Sequence, residues 1–353
     1  MFSIKTRIGF PCVLLGAVLL LGPGAAAQTA GKRVVRVMQR NMDAGTDMGY
    51  IFSATEPVSL MKGIAKTYNE AVASNIPQRE ALLAAEIGKQ QPDLVALQEA
   101  SLWLTGPLNE PPPTTVLYDQ LQLLLNELQN LGLHYAVVAV NTLLDAEVPT
   151  PLGFDLRLQD RDAMLARTDL APSEFSVSNA QMGVYQAEFV LGNPLLGQIP
   201  VPRGWMTADV QVGSAAFRFA NTHLESPPAP TDIQVAQAQE LVLILATATT
   251  PVILCGDFNA NAEPGYNHFP TTDLIVSAGF VDAWHALRPF EAGLTWPLHG
   301  EDPYTSQSKP NQRMDLVYTR GVGAEKTYRI GLPVQGIWPS DHAGVVAAVS
   351  MPE

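Results

Sequence analysis

Residues 251–259 read Pro251-Val-Ile-Leu-Cys-Gly-Asp257-Phe-Asn259. A short apolar, β-rich run bounded by Pro and Gly is the pattern of a buried strand. This one ends on polar groups, and a strand end is a rigid place to hold a reactive side chain at a solvent-facing rim. The arrangement recurs along the chain. Val34-Val-Arg-Val-Met leads to Asn41, Asp93-Leu-Val-Ala-Leu-Gln to Glu99, and Phe217-Arg-Phe-Ala-Asn-Thr to His223. Asp315 precedes Leu-Val-Tyr, and Asp341-His342 precede Ala-Gly-Val-Val. If the last two strands run opposite to their neighbours, all six places meet on one rim. That favours a mixed or antiparallel sandwich over a doubly wound parallel sheet, where ligands gather at strand C-terminal ends.

Working outward, β-rich runs fall at 34–38, 93–97, 135–140, 163–166, 208–212, 217–220, 252–254, 316–318 and 345–349. Helical periodicity is expected at 78–89, at 116–131 with Leu117, Leu121, Leu124, Leu128 and Leu131 on one face, and at 232–247. Pro- and Gly-rich stretches at 105–115, 148–153 and 191–202 read as surface loops, because the polar motifs lie on both sides of all three. The expectation is one domain over residues 28–353.

The first 27 residues read as an export signal: Lys5 and Arg7, an apolar run over 8–21, then Ala25-Ala26-Ala27 as a cleavage site. No later segment has 18 uninterrupted apolar residues, so no membrane span is expected in the mature chain. The expected location is secreted or periplasmic. Cleavage would remove two basic and no acidic residues, taking the net charge from −13 to −15. Such an acidic balance weakens the case for a stable nucleic-acid partner, which rests on clustered Lys and Arg. It does not exclude a nuclease that holds phosphate through a metal. Cys12 would leave with the signal, so Cys255 has no partner for an intramolecular disulfide and reads as a buried apolar residue.

The six places supply carboxylates (Glu99, Asp257, Asp315, Asp341), amides (Asn41, Asn259) and imidazoles (His223, His342). Hard oxygen donors select Mg²⁺, with Mn²⁺ or Ca²⁺ as alternatives, over zinc. Phosphoester hydrolysis fits such a set, because a metal offsets charge on phosphoryl oxygens while a carboxylate positions water.

Asn41, Leu97-Gln98-Glu99, Asn221-Thr-His223-Leu-Glu, Gly256-Asp257-Phe-Asn259, Arg313-Met-Asp315 and Ser340-Asp341-His342 resemble, in order, the motifs of the endonuclease/exonuclease/phosphatase superfamily. The resemblance implies a DNase I-like α+β fold, a four-layered α/β/β/α sandwich with two mostly antiparallel sheets. It implies Glu99 on the metal with Asn41 in support and Asp341 nearby. Asp257 would orient or deprotonate the attacking water, Asn259 hold phosphate, and His223 touch the phosphate or leaving group. Asp315 would orient His342. Which carboxylate is the base stays open.

The segment Asp155-Leu-Arg-Leu-Gln-Asp-Arg-Asp162-Ala-Met-Leu-Ala-Arg167 resembles the superfamily strand beside the site. Arg161, Asp162 and Arg167 are thus secondary candidates, Arg161 for substrate phosphate; Arg167 reads first as a structural ion pair. After Asn41 comes an insertion before the 78–89 helix, in which Asp43 and Asp47 are turn formers before they are ligands. His134, His268, His285 and His299 lack zinc-like spacing and are taken as structural or surface residues. A Ser340-Asp341-His342 triad is excluded, since adjacent residues on an extended chain alternate faces. Two readings follow: a monomeric phosphoesterase on a lipid-linked, small-molecule or nucleic-acid phosphoester, nuclease or sphingomyelinase-like phospholipase included, and a noncatalytic binding module on the same fold.

Overall fold

Apolar side chains point from both faces of the central strands, and this sets the architecture. In β1 (Val34–Asn41), Val35 and Val37 enter one apolar cluster while Met38 enters another. In β12 (Val252–Asp257), Ile253 and Cys255 join the first cluster, and Val252 and Leu254 join a third. A strand alternates faces with period 2, so a strand apolar on both faces must be covered on both.

The computed structural model describes residues 33–110, 112–264, 268–299 and 309–351; the expected signal at 1–27 lies outside them. Within these, one sheet of eight strands runs β15 (Ala324–Ile330), β16 (Gly344–Ser350), β1, β2 (Leu94–Gln98), β6 (Phe154–Arg167), β3 (Leu102–Pro107), β4 (Thr115–Asp119), with β5 (Tyr135–Pro149) also paired to β6. A second, of six, runs β13 (Val281–Asp282), β14 (Asp315–Arg320), β12, β11 (Ala215–His223), β10 (Gly204–Val212), β7 (Phe175–Val184). Pairing is antiparallel except for β1 with β2 and β11 with β12.

Val35, Val37, Leu94, Ala96 and Met164 of the first sheet pack directly on Met206, Phe217, Phe219, Ile253 and Val317 of the second. Helices cover the outer faces. Leu83, Ala84 and Ile87 of α3 (Ile76–Gln90) and Leu121, Leu124 and Leu128 of α4 (Gln120–Asn130) pack on Met38, Val95 and Leu97. Ala238, Leu241 and Leu245 of α5 (Thr231–Ala246) and Ile275 of α6 (Pro270–Ser277) pack on Leu254, Leu316 and Tyr318. The four layers and the α+β class are those the motif resemblance implied. β14 runs antiparallel to β12, and β16 to β1, so strands that begin with a polar motif and strands that end with one present it at the same rim.

Two local expectations are corrected, and the insertion after Asn41 gains a structure. The stretch 116–131 is not one helix: residues to Asp119 form β4, because Val116, Leu117 and Tyr118 suit a strand and the Asp119 carboxylate accepts from Gln122 N at 3.1 Å, starting the helix there. Leu117 consequently packs beneath the insertion, away from Leu121. The stretch 191–202 is no open loop but most of a hairpin, β8 (Phe189–Asn193) with β9 (Gly197–Val201), whose turn is held by the Asn193 side chain accepting from Leu195 N and Leu196 N. The insertion after Asn41 forms α1 (Gly49–Phe52) and α2 (Pro57–Ala73), which cover Trp103, Leu156 and Leu158. The short α7 (Ala283–Leu287) lies between β13 and β14 in sequence.

Glu80, on the buried side of α3, has no exposed surface. Burial pushes its carboxyl up to about 8 from an ordinary 4.5, against the opposing pull of Arg79 and Arg40. The folded protein therefore holds a proton that the unfolded chain has released, and the stability this gives is complete below pH 4.5 and lost as pH rises through about 8. Glu80→Gln keeps the shape and removes the titration. Urea unfolding of both proteins at pH 5 and pH 9 should show the variant losing less stability over that interval, by a few kcal/mol at about 1.4 kcal/mol per pH unit. Equal losses would mean that Glu80 is ionised in the fold.

Candidate active site

The inward faces of the two sheets are apolar along most of their length and turn polar at one end. On β1 the inward series runs Val35, Val37, Gln39, Asn41; on β2 it runs Leu94, Ala96, Gln98. Opposite them, β11 runs Phe217, Phe219, Asn221, His223, β12 runs Ile253, Cys255, Asp257, and β14 runs from Val317 back to Asp315. His223 pairs with Asp257, and Asp257 with Asp315, in register across three adjacent strands. Gly256 is required here, because a Cβ would stand 2.4 Å from the Thr222 carbonyl oxygen on the neighbouring strand.

Four buried amide and acid groups tie the sheets together below this end. Gln39 Nε2 donates to Gln98 Oε1 at 2.8 Å and to Asp315 Oδ1 at 2.7 Å. Gln98 Nε2 donates to Asn221 Oδ1 at 2.6 Å, and Asn221 Nδ2 returns to the carbonyls of Leu97 and Ala163, each at 3.0 Å. Four of these five bonds cross from one sheet to the other; only Gln39 to Gln98 stays within the first. Gln39, Gln98 and Asn221 were not singled out individually; their inward parity beside the motifs is the signal that marks them.

Above this floor, Asn41 Nδ2 donates to both Glu99 Oε1 and Asp257 Oδ2, at 3.0 Å each. Its oxygen accepts from Asp43 N at 2.8 Å, so Asn41 supports two carboxylates by donation and turns its oxygen to the backbone. Glu99, one residue beyond the inward Gln98, would face away by alternation; a φ of 55° turns it back toward Asn41. Asp257 Oδ1 accepts from Asn259 N at 2.9 Å, which fixes the turn, and Asn259 Nδ2 is tied to the Leu224 carbonyl at 3.0 Å.

The opposite wall is a hydrogen-bonded pair. His342 Nδ1 lies 2.9 Å from Asp315 Oδ2 and 3.6 Å from Asp257 Oδ2, while its Nε2 is 3.8 Å from Asp341 Oδ1. Burial disfavours the charged ring, but Asp315, Asp341 and Asp257 outweigh it and hold its pKa well above 6.5. Asp341 is oriented by Trp296 Nε1, 3.0 Å from its Oδ2. Arg40 donates to the His342 carbonyl, and Arg79 donates to the carbonyls of Met42 at 2.6 Å and Pro339 at 3.2 Å, so one guanidinium fastens the exit of the Asn41 motif and the entry to the Asp341-His342 motif.

His223 differs from His342. It is 1% exposed, with Nε2 3.8 Å from Asp257 Oδ2 and Nδ1 3.6 Å from Asp162 Oδ1. Burial, with the Arg203 charge beside it, pushes it down to about 4, so its ring is neutral at physiological pH.

The structure thus brings together Asn41, Glu99, His223, Asp257, Asn259, Asp315, Asp341 and His342. Arg161 is turned elsewhere. On β6, Asp160 and Asp162 share the inward parity of Met164, whereas Arg161 falls with Ala163 and Leu165 on the face toward the helices. Its guanidinium donates to the Ala100 carbonyl at 2.8 Å and to Asp119 at 2.6 Å. Arg167 bonds Asp169 and Asp93; Asp43 bonds Gly45 N and Arg79, and Asp47 bonds Gly49 N. Sequence reasoning missed Arg203, whose Nη1 is 3.2 Å from both nitrogens of His223. It directly precedes Gly204, the first residue of β10 and the one opposite His223 in register, but no motif marks it.

The donor set fits a hard divalent cation. Burial raises Glu99 to about 7, Asp162 to about 7 and Asp160 to about 6, and Asp160 Oδ1 and Asp162 Oδ1 are buried with no hydrogen bond among the described residues. Crowded, desolvated carboxylate oxygens are what such an ion compensates. Asp257, Asp315 and His342 also bring two oxygens and a ring nitrogen within 4.8 Å of one another. There the nitrogen is engaged by Asp315 and the ring is charged, which disfavours it as a ligand, while Glu99 and Asp341 are half-buried carboxylates.

A family model described as the Endonuclease/Exonuclease/phosphatase family matches residues 67–342. Nocturnin of Mus musculus is 26% identical over 292 residues, 78% of this chain, and the chain spans 59% of the length of that curated relative. Among solved structures, the mannosyl-6-phosphatase of Bacteroides thetaiotaomicron superposes with a TM-score of 0.51 at 17% identity, covering 89% of this chain and 99% of that one. D. rerio TDP2 complexed with single strand DNA product superposes with a TM-score of 0.52 at 14% identity, covering 90% and 98%.

Asn221→Leu tests the floor. It leaves Gln98 Nε2 without its acceptor in a dry site, and one or two orphaned polar groups should lower the urea-derived stability by about 3 kcal/mol. A loss below about 1 kcal/mol would mean that the amide chain does not hold the sheets together.

Proposed function

The chain belongs to the endonuclease/exonuclease/phosphatase family, and from that premise and the geometry of the site we propose that it is a divalent-metal-dependent phosphoester hydrolase. The observation that carries the reading is Asp257, held by Asn41 at 3.0 Å and 3.6 Å from the charged ring that Asp315 orients. A carboxylate fixed beside a cationic hydrogen-bond donor is suited to take a proton from water while the donor meets a phosphoryl oxygen.

In this reading Glu99 and Asp341 hold Mg²⁺, or Mn²⁺ or Ca²⁺ in its place, and Asn41 positions Glu99. The ion supplies positive charge to the phosphoryl oxygens. Asp257 orients and deprotonates the attacking water for in-line displacement. His342, kept charged by Asp315, binds a phosphoryl oxygen, and Asn259 lies beside Asp257 at the half-buried mouth. His223, neutral and covered, supports Asp257. One solved neighbour is a mannosyl-6-phosphatase and another is complexed with single strand DNA product, so the fold leaves the substrate open. The acidic charge of −13 supports a small phosphoester over a long nucleic-acid backbone. We further propose that residues 1–27 direct export and are removed; the N-terminal sequence of the mature protein should begin at Gln28.

Purified protein should hydrolyse at least one of bis-p-nitrophenyl phosphate, p-nitrophenyl phosphate, inositol phosphates, sphingomyelin or DNA with Mg²⁺ or Mn²⁺, and lose that activity in EDTA. Asp257→Asn should lower kcat by at least roughly a hundredfold while calorimetry shows unchanged metal affinity. Glu99→Gln should weaken the metal itself. Inactivity on every substrate with every metal would favour a binding module on this fold.

A further inference from the structure

Among the described residues, the carboxylates gathered around Arg203 set it apart from the other arginines near the site. Arg40 is held by Glu86, Arg79 by Asp43, Arg161 by Asp119, and Arg313 by Glu263 and Asp282, all beneath or behind the rim. Arg203 stands at the rim, since Gly204 pairs with His223 where β10 begins and β11 ends. Its Nε bonds Glu225 Oε1 at 3.3 Å and its Nη1 meets His223, while Nη2 has no hydrogen bond to a described residue. Its side chain keeps 12% exposure, whereas that of Glu225 keeps 2%.

This is a built arrangement. Glu225 follows His223 by two residues on the same chain, so it fixes the guanidinium at the same strand end that carries His223. Burial opposes the arginine charge, but Glu225, Asp160, Glu99 and Asp162 around it more than restore it. Glu225 alone would satisfy a structural arginine. Nη2, on a partly exposed side chain and without a hydrogen bond to a described residue, leaves one edge of the fork able to meet a further anion, and the anion of a phosphoesterase is its substrate.

We propose that Arg203 is a specificity-determining residue that binds the doubly charged phosphate of a phosphomonoester, so that this enzyme prefers monoesters to diesters. The proposal rests on the phosphoesterase reading. A diester bears one negative charge, which the proposed ion, once bound, and His342 would balance. A monoester bears a second, in a site already crowded with carboxylates, and needs another donor. Arg203 supplies it as a planar fork that matches phosphate oxygens.

The test measures binding, so it does not depend on turnover. With Mg²⁺ present at about pH 9, calorimetry compares inorganic phosphate, a dianion, with dimethyl phosphate, a monoanion. Arg203→Gln should weaken phosphate by roughly ten- to a hundredfold, the worth of a charge-assisted hydrogen bond, and dimethyl phosphate by less than about twofold. Should the Gln variant fail to fold, Arg203→Lys keeps the charge and loses the fork, and should weaken phosphate alone by an intermediate factor. Equal weakening of both anions, or of neither, overturns the assignment. Inactive protein that still shows the selective loss would sink the catalytic reading and leave Arg203 as a phosphate-binding residue.

Discussion

The separation between the two sheets at their polar end is the constraint on which the site depends. Asn41 and Glu99 come from the first sheet, and His223, Asp257 and Asp315 from the second, so any sliding of one sheet on the other would dissolve the constellation. Apolar packing alone is poorly suited to prevent that, because hydrophobic contact is non-directional. Directional bonds do it instead: Gln39 to Asp315, Gln98 to Asn221 and Asn41 to Asp257 each cross the gap. Such groups are costly if left unpaired in a dry interior, so their directional bonds favour one arrangement; Gln39 Oε1 is the atom of this chain left without a hydrogen bond among the described residues.

The electrostatics follow from the same placement. Setting acids on inward faces removes water from them, which is why Glu99, Asp160 and Asp162 all rise toward neutrality. For the His342 ring burial is outweighed by the carboxylates around it, Asp315 at hydrogen-bonding distance first, and its pKa is held well above the ordinary value. The two histidines show how position divides one chemistry. His342 lies among three carboxylates and is cationic; His223 lies under an arginine and is neutral.

The insertion after Asn41 contributes through the backbone. Its helices pack over Trp103 and the β5–β6 ribbon, and the loop that enters it is tied by Arg79 and by Gln120, whose Nε2 donates to the Asp43 carbonyl at 2.8 Å. Through Arg79 the same loop is joined to Pro339, just before the Asp341-His342 motif. Segments nearly three hundred residues apart in sequence are thereby held as one rim.

The sequence by itself determined the strand ends, the polar residue at each, and the order of motifs, because period-2 alternation and strand-bounding Gly and Pro are local properties. It also led to the layered α+β class and to the reversal of the last two strands, which the rim required. It did not determine where β4 gives way to α4, since Val116 and Leu117 satisfy either period and only the Asp119 cap decides. Nor did it separate Arg161 from Asp160 and Asp162: adjacent residues look equally near a site until a register assigns one parity to the sheet interface and the other to the helices. Arg203 was invisible for a related reason. Nothing around it is a motif, and its meaning arises only when antiparallel pairing of β10 with β11 sets it against His223 and Glu225. Strand ends are written locally; which faces meet across two sheets is a property of the packed whole.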